Sequence, residues 1–462
     1  MGPAVRTDVV VVGAGISGLV AARRLTAAGG YRVCVLEARD RVGGRTLNTD
    51  VGGGKHVEIG GQFTGPGQDA IQRVAAELGV TTFPTHQAGT HLVELGAGTR
   101  RWSGEVPWAG LAASMSYLHA QRTLNRMARE VPPDAPWLAS RAAQWDAETL
   151  GGWLRRTVRS RRARRLLDMT IRAVWAHEPA DVSLLYSLAV INGAGGLQRL
   201  VRTRGGAQQD RFTGGSQLIA LRLADQLPQP PTLGHPVRRI VQSDRSVTVH
   251  TDGLSVEAHR VIVAVPPMLA GGIEYEPAMP AGREQLLART PQGTTFKCLA
   301  VYDTPFWRQE GMSGHVASDR GPVGATFDNS PPDGDPGILL GFVVGRHARR
   351  LLSLAEQDRR REVLDCFARW FGERARKPRR LLVHSWSEDA WTRGCYAGYF
   401  VPGALTSYGW WLRQPHGRVH WAGSETATRN IGSMDGAVTA GERVADEVDR
   451  AFATEDAMEP TP

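Results

Sequence analysis

Three glycines near the N-terminus have the spacing of a phosphate-binding turn. Gly13, Gly15 and Gly18 follow an apolar run over 7–12, typical of a buried strand, and precede a helical pattern. Such a turn brings backbone N–H groups and a helix N-terminus against a pyrophosphate. The next apolar run ends at Glu37, where a carboxylate can accept both hydroxyls of a ribose. This combination predicts dinucleotide binding rather than a purely structural glycine turn.

A second glycine-rich segment begins at Glu37. Residues 37–45 read Glu-Ala-Arg-Asp-Arg-Val-Gly-Gly-Arg. They resemble the motif that surrounds the flavin diphosphate in FAD-dependent oxidoreductases related to glutathione reductase. The resemblance implies that Arg39 and Arg45 hold FAD. Gly60 and Gly61 also resemble that group, in which this glycine pair passes beside the isoalloxazine ring.

A third glycine turn lies near the C-terminus. Gly423 and Glu425 follow a short apolar strand pattern, and a helical pattern begins near Met434. The positive end of a helix can stabilise the negative charge that a flavin develops at N1 and its C2 carbonyl on reduction. We therefore assign Gly423, Glu425 and Met434 to the cofactor site. Val237, at the start of a strand pattern in mid-chain, is assigned to the same site.

Together these motifs resemble the flavin-containing monoamine oxidase family. The likeness includes Phe296-Lys297-Cys298, Gly394-Cys395-Tyr396, Gly423-Ser-Glu-Thr-Ala and Met434-Asp-Gly-Ala. It covers most of the chain and is loose over 85–205 and 310–380. The resemblance implies an FAD-dependent amine oxidase, which converts a C–N bond of an amine to an imine and reduces oxygen to hydrogen peroxide.

The same resemblance assigns roles to four residues. Lys297 lies in an apolar stretch, where a cation is costly without a partner, and the family's lysine holds a water against flavin N5 and assists reoxidation. Cys395 matches the position of a thioether to the flavin 8α-methyl group. Covalent FAD and an ordinary small buried cysteine both stay open. Tyr396 corresponds to one wall of an aromatic cage for the amine. Ser433 stands where a tyrosine forms the second wall, which favours a substrate bulkier than simple arylalkyl amines.

Other substrate-pocket candidates carry weaker signals. Trp175, His177 and Tyr186 lie where the family lines its substrate cavity, and Gln62 follows the second glycine pair. Core packing explains these residue types equally well. No metal site is expected, because the four cysteines form no closely spaced set with histidine.

The order of the motifs predicts an α/β protein. A Rossmann-like FAD-binding domain of the glutathione-reductase type, discontinuous in sequence, is expected to be interleaved with a mixed α+β substrate domain. We assign the FAD-binding domain to 1–80, 210–290 and 385–455, the substrate-binding domain to 81–209 and 291–384, and a polar tail to 456–462. The stretch from about 80 to 205 has helical periodicity and is expected to be helical.

Composition narrows the class of protein further. The chain has 462 residues and a formal net charge of +9. The arginine cluster over 155–165 is interpreted as a solvated helix face, because no aromatic residues interleave with it. No apolar run approaches the ~20 residues of a membrane span. We expect a cytoplasmic enzyme that acts on a small-molecule amine and oxygen, without nucleic acid or membrane, and we leave a homodimer open.

Three other functions stay open. An L-amino-acid oxidase needs an arginine aimed at the substrate carboxylate, and the chain has too many arginines for its sequence to decide. A specialised-metabolism amine or amide oxidase-cyclase would act on a bulky substrate, which Ser433 favours. An FAD-binding scaffold without activity is the non-enzymatic alternative.

Overall fold

The computed structural model describes residues 5–96, 98–104 and 110–458. Its central element is a parallel sheet of four short strands. In spatial order they are Val419–Trp421, Arg260–Val263, Val9–Val12 and Val33–Leu36. Val9, Val10 and Val11 are fully buried, because both faces of a parallel sheet are covered. As the sequence predicts, the strands of this sheet come from separate parts of the chain. The N-terminal part contributes two strands, a middle segment contributes the third, and a segment near the C-terminus contributes the fourth.

Two helices from opposite ends of the chain pack together on one face of this sheet. They are Ile16–Gly29 and Met434–Met458. A Cβ on Gly441 would lie 2.4 Å from the Ser17 carbonyl oxygen, so the close approach of the helices requires glycine there. The Ser17 hydroxyl also accepts a hydrogen bond from the Gly423 N–H at 3.0 Å. The N-terminal and C-terminal glycine turns are therefore held beside each other where the strands end.

Further sheets accompany the parallel sheet. A five-stranded sheet consists, in spatial order, of Val5–Arg6, Ser255–Ala258, Val247–Thr251, Val237–Gln242 and Glu274–Glu276. A three-stranded sheet consists of Phe63–Thr64, Asp210–Phe212 and Thr82–Pro84, and a hairpin pairs Asn48–Gly52 with Lys55–Glu58. The strand Val237–Gln242 confirms the strand pattern predicted to begin at Val237.

A second large sheet has seven strands. In spatial order they are Arg380–Ser385, Thr295–Tyr302, Gly337–Val344, Ala325–Asp328, Met312–Ser318, Thr90–Leu95 and Gly98–Trp102. The prediction of a helical stretch from about 80 to 205 is wrong for Thr82–Pro84, Thr90–Leu95 and Gly98–Trp102, which are strands. The strand Thr90–Leu95 belongs to a hairpin at the edge of this sheet, and its four residues from His91 to Glu94 are all buried. Tertiary packing therefore stabilises a strand there.

The helices fill the space beside the sheets. Those over 111–201 share one hydrophobic core, and Arg346–Leu352 and Glu356–Phe371 cover one face of the seven-stranded sheet. The α-helices not yet named are Asp69–Glu77, Leu111–Ala128, Ala142–Asp146, Leu150–Thr157, Arg161–Trp175, Leu184–Gly193, Leu197–Val201, Gln217–Asp225, Pro267–Ala270, Ala281–Ala288, Phe306–Gln309 and Ala404–Tyr408. Single 3₁₀ turns occur at Pro136–Leu138, Glu373–Arg376, Gly409–Leu412 and Ser424–Thr426.

The arginine cluster lies on two helices rather than one. Leu150–Thr157 ends before Ser160, whose hydroxyl caps Arg161–Trp175 by accepting from the Ala163 N–H at 3.3 Å. Most of the arginines over 155–165 are exposed, while the leucines on the opposite side are buried. This arrangement confirms the interpretation of a solvated helix face.

Candidate active site

One cavity of about 590 Å³ brings most of the predicted residues together. The predicted residues that line it are Gly13, Gly15, Glu37, Arg39, Arg45, Gly60, Gly61, Gln62, Trp175, His177, Tyr186, Val237, Lys297, Cys395, Tyr396, Gly423, Ser433 and Met434. Gly18 and Glu425 lie behind its wall. The cavity begins at the ends of the parallel strands and extends to the seven-stranded sheet, so both large sheets contribute to it.

The N-terminal glycine turn forms one end of the cavity. Gly13 has a φ of +104°, which glycine adopts without strain. A Cβ on Gly18 would lie 2.0 Å from the Gly13 carbonyl oxygen, so strand and helix can pack only without it. A Cβ on Gly15 would meet none of the described atoms within 4 Å. The missing side chain of Gly15 therefore leaves room for a ligand.

Glu37 is fixed beside this turn. Its carboxylate is 4% exposed and accepts hydrogen bonds from the Ala14 N–H at 2.8 Å and the Arg39 N–H at 3.0 Å. The Arg39 guanidinium donates to Asp389 at 2.6 Å. A carboxylate and an arginine are thus held at the cavity wall, where the sequence predicts contacts with the ribose and diphosphate of a dinucleotide.

A buried ion pair joins the second and third glycine motifs. The Arg45 guanidinium donates to both carboxylate oxygens of Glu425, at 2.6 and 3.0 Å. Burial acts to raise the pKa of Glu425, but the charge and hydrogen bonds of Arg45, together with the Gly398 N–H, outweigh it and hold this pKa below its ordinary value. Next to Arg45, a Cβ on Gly60 would lie 2.2 Å from the Arg45 carbonyl oxygen, whereas Gly61 faces the cavity with no described atom within 4 Å of its Cβ position.

Lys297 is buried in the middle of the strand Thr295–Tyr302, with 3% of its surface exposed. Its ammonium group donates to the Gly60 carbonyl oxygen at 2.8 Å and to the Gln62 side-chain oxygen. Burial lowers the pKa of Lys297 to about 7, and the neighbouring charge of Glu58 only partly opposes this effect. Lys297 can therefore gain or lose a proton near neutral pH at the cavity wall.

A buried polar chain that the sequence analysis missed supports Gln62. The Gln62 amide donates to the Asn329 side-chain oxygen at 2.6 Å. The Arg211 guanidinium donates to the Asn329 carbonyl oxygen at 2.9 Å and to Glu58 at 2.7 Å. Glu58 and Arg211 are almost completely buried, so the pair neutralises two charges behind Lys297. Glu58 stands two residues before Gly60, but no sequence pattern links it to Arg211.

Cys395 and Tyr396 lie side by side at the cavity. Burial raises the pKa of the Cys395 thiol to about 12, although the Arg45 charge acts in the opposite direction. The Tyr396 hydroxyl donates to the Ala173 carbonyl oxygen at 3.2 Å. The edge of its ring meets Phe342, with 5.9 Å between the ring centroids. Tyr396 is thus held in one orientation as a wall of the cavity.

Ser433 has a structural task besides lining the cavity. Its hydroxyl donates to the Asn430 carbonyl oxygen at 2.6 Å and accepts from the Gly436 N–H at 3.1 Å. The second bond caps the helix that begins at Met434. From the sequence, Ser433 was interpreted only as the absence of an aromatic wall, and this cap was not predicted.

The weaker pocket candidates lie at the cavity too. The rings of Trp175 and His177 are stacked with 6.1 Å between centroids, and burial lowers the pKa of His177 to about 4. The buried Trp175 indole N–H has no hydrogen-bond partner among the described residues. The Tyr186 hydroxyl donates to the Gly398 carbonyl oxygen at 3.1 Å.

A second group of rings at the cavity was not predicted from the sequence. Trp102, His315, Phe327 and Phe342 all line it. They lie on four strands of the seven-stranded sheet, three of them within 310–380. No motif singles these residues out.

The residues present fit an FAD. Gly15 and Gly61 leave open space at two separate points of the wall, and helices begin beside the cavity at Ile16 and Met434. One helix N-terminus suits a pyrophosphate, a second suits the charge of a flavin ring, and Glu37 suits a ribose.

Comparison with a family model agrees with this site. The model described as flavin containing amine oxidoreductase matches residues 16–449. The chain belongs to this family. It is accordingly a flavoprotein with FAD as cofactor, and it oxidises amines.

Similar proteins are amine oxidases as well. The protein named flavin-containing monoamine oxidase AofH in Mycobacterium tuberculosis is 44% identical over 441 residues, which cover 96% of each chain. Amine oxidase [flavin-containing] B of Canis lupus familiaris is 37% identical over 449 residues, covering 96% of this chain and 86% of that one.

Solved structures resemble the whole architecture. Putrescine oxidase bound to putrescine has a TM-score of 0.93 at 32% identity and covers 97% of this chain and 100% of its own. Cyclohexylamine oxidase from Brevibacterium oxydans has a TM-score of 0.92, and the match covers 97% of this chain and 99% of that one. The mixed α/β fold is therefore that of amine oxidases.

Two features are absent from the described part of the chain. Across residues 5–96, 98–104 and 110–458, none of the helices combines the length and apolar character of a membrane span. Within the same ranges, no three His, Cys, Asp or Glu side chains are grouped so that they could bind a metal ion.

Alanine substitutions at Gly15 and Gly18 should separate cofactor binding from folding. Gly15→Ala places a methyl group in the open cavity, so we expect weaker FAD binding and unchanged unfolding of the apoprotein. Gly18→Ala forces a methyl group against a backbone oxygen and should lower the free energy of unfolding by about 1–3 kcal/mol. Flavin-fluorescence titration and thermal unfolding, both in a Cys395→Ala background, measure the two effects. Unchanged FAD affinity of Gly15→Ala would place the ligand elsewhere.

Proposed function

We propose that the protein oxidises a monoamine with an apolar body to an imine and passes the electrons to oxygen, which forms hydrogen peroxide. The observation that carries this proposal is the lining of the cavity beyond Tyr396. Among the described lining residues the one carboxylate is Glu37, which lies at the glycine turn. A second ammonium group on the substrate would find no counter-ion near Tyr396, so a diamine is disfavoured.

The parts of the chain have separate tasks in this proposal. FAD, when bound, accepts the two electrons removed from the α-carbon of the amine. The glycine turn, Glu37 and Arg39 hold the nucleotide, and the rings beside Tyr396 orient the amine and exclude water from the imine. Lys297 holds a water or a proton for the reaction with oxygen.

We also propose a division into two domains. The four-stranded parallel sheet and its two packed helices support a Rossmann-like FAD-binding domain of the glutathione-reductase type. Its segments would be 1–80, 210–290 and 385–455. The seven-stranded sheet and the helices over 111–201 would form the substrate-binding domain, 81–209 and 291–384.

One observation favours an amino-acid oxidase as a second candidate. Arg202 lines the cavity, and a guanidinium can bind a substrate carboxylate in a bidentate manner. Peroxide production from monoamines, diamines and L-amino acids separates these functions. We expect activity with monoamines; activity with amino acids alone would favour the second candidate, and no peroxide from any of them would favour a scaffold.

Lys297→Met should impair the oxidative half-reaction more than the reductive one. The change keeps the apolar packing but removes a group that can move a proton, so stopped-flow reoxidation should slow by about 100-fold or more. Because the pKa of Lys297 is about 7, wild-type reoxidation should become slower as the pH rises through 7, and the variant should lack this dependence. Lys377→Met, at an exposed lysine, is the matched control. Equal reoxidation rates in Lys297→Met and the parent would refute this role.

The flavin should remain attached to the acid-denatured polypeptide if Cys395 forms a thioether. Cys395 lines the cavity, whereas Cys298 is buried outside it. Cys395→Ala should therefore release all flavin into the acid supernatant, and Cys298→Ala should release none. Intact mass spectrometry detects the added mass of FAD; a bare-chain mass for the wild type would show that FAD is bound without a covalent link.

Substitutions at Ser433 should show whether this position limits substrate size. Ser433→Tyr adds a second ring wall, so anaerobic flavin reduction by bulky amines should slow by about 100-fold through lost alignment, while benzylamine-like compounds gain. Ser433→Ala is the control, because it also loses the helix cap, at a cost of about 1 kcal/mol, without narrowing the cavity. The same size preference in both variants and the parent would show that position 433 does not contact the substrate.

A further inference from the structure

A row of rings leads from Tyr396 to His315 along the cavity wall. The centroid distance is 5.9 Å from Tyr396 to Phe342 and 6.1 Å from Phe342 to Phe327. His315 stacks on Phe327 with 4.8 Å between centroids and 21° between planes. Trp102 meets the edge of His315 at 5.7 Å. His315 therefore supplies a polar ring at the end of an aromatic wall.

His315 differs from its neighbour His91 in its hydrogen bonding. The His91 ring nitrogen Nδ1 lies 2.6 Å from the Ser313 hydroxyl, and His91 is not part of the cavity lining. Of the hydrogen bonds made by the described residues, none reaches a ring nitrogen of His315. Its ring nitrogens are not among the buried polar atoms that lack a partner, and the side chain is half-buried. The accessible surface of His315 therefore faces the cavity.

The His315 imidazole is neutral under the conditions in which an enzyme works. Burial, assisted by the neighbouring His91, lowers its pKa to about 3. A neutral imidazole offers one N–H donor and one nitrogen acceptor. In an apolar wall such a group gains from a partner on the substrate, because it finds few other partners there.

We propose that His315 is a specificity-determining residue that hydrogen-bonds a hydroxyl or similar polar group on the apolar body of the amine. The substrate class is then a monoamine with an aromatic or bulky body and a hydrogen-bonding group remote from the nitrogen. This inference rests on the proposed function, since it concerns the substrate of the same cavity.

The test compares pairs of amines that differ by one hydroxyl group. Phenethylamine is paired with tyramine, and 4-phenylbutylamine with 4-(4-hydroxyphenyl)butylamine, so that two distances from the amine are sampled. The measured quantity is the limiting rate of anaerobic flavin reduction divided by the dissociation constant. We expect the hydroxylated member of at least one pair to be favoured by about 3- to 10-fold in the wild type, as one neutral hydrogen bond provides.

His315→Phe keeps a ring against Phe327 but removes both nitrogens, so this preference should disappear while the unhydroxylated amine changes less than about twofold. His315→Gln retains a donor and an acceptor and should retain part of the preference. His91→Phe, beside the cavity lining, is the matched control and should retain all of it.

The outcomes separate this inference from the proposed function. If amines reduce the flavin of the wild type with no preference for the hydroxylated member of a pair, the role of His315 is overturned and the amine oxidase function stands. The same conclusion follows if the preference survives in His315→Phe. The wild-type comparison decides this even if a variant does not fold. Absence of flavin reduction by every amine overturns the proposed function and this inference together.

Discussion

The contact between Arg45 and Glu425 holds together the three segments that surround the cavity. Arg45 follows the N-terminal glycine motifs, and Glu425 belongs to the C-terminal glycine turn. The guanidinium also donates to the Tyr396 carbonyl oxygen at 2.9 Å, and Glu425 accepts from the Gly398 N–H at 3.1 Å. Removing one partner of such a buried pair typically costs about 3–5 kcal/mol, because the other charge is left uncompensated. The geometry of the cavity wall therefore depends on this one pair.

Around Lys297, hydrogen bonds compensate for the burial of a charged group. An ammonium group in an apolar strand is destabilising unless oxygen atoms replace its hydration. The Gly60 carbonyl and Gln62 provide that replacement, and Gln62 is held by Asn329 and, through it, by the Arg211–Glu58 pair. The burial that lowers the pKa of Lys297 is thus matched by a polar chain that keeps the side chain in place.

Local patterns made part of this structure predictable. The strands Val9–Val12 and Val33–Leu36 are continuous apolar runs, and the glycine turns have fixed spacing, so both could be read from neighbouring residues. In contrast, the sequence does not reveal on which side of the cavity wall His315 lies. Its strand pairs with Thr90–Leu95 with a register shift between Met312 and Val316, and such an irregularity changes the face to which a residue points. The Arg211–Glu58 pair joins residues that the sequence separates by more than 150 positions, and the cap made by Ser433 depends on the exact start of the helix.

The central sheet also sets an order of events during synthesis. Its outer strand Val419–Trp421 and the helix packed on Ile16–Gly29 are synthesised long after the first strand and the first helix, because several hundred residues separate them in the sequence. Before these elements are present, the N-terminal glycine turn lacks two contacts. One is the hydrogen bond from the Gly423 N–H to Ser17, and the other is the close packing of the two helices at Gly441. Contacts across such long separations form late, because the entropy of closing a long loop must be overcome first. The cavity is consequently completed only after these elements have joined the sheet, and a nascent chain that lacks them leaves the apolar faces of the sheet and of Ile16–Gly29 uncovered.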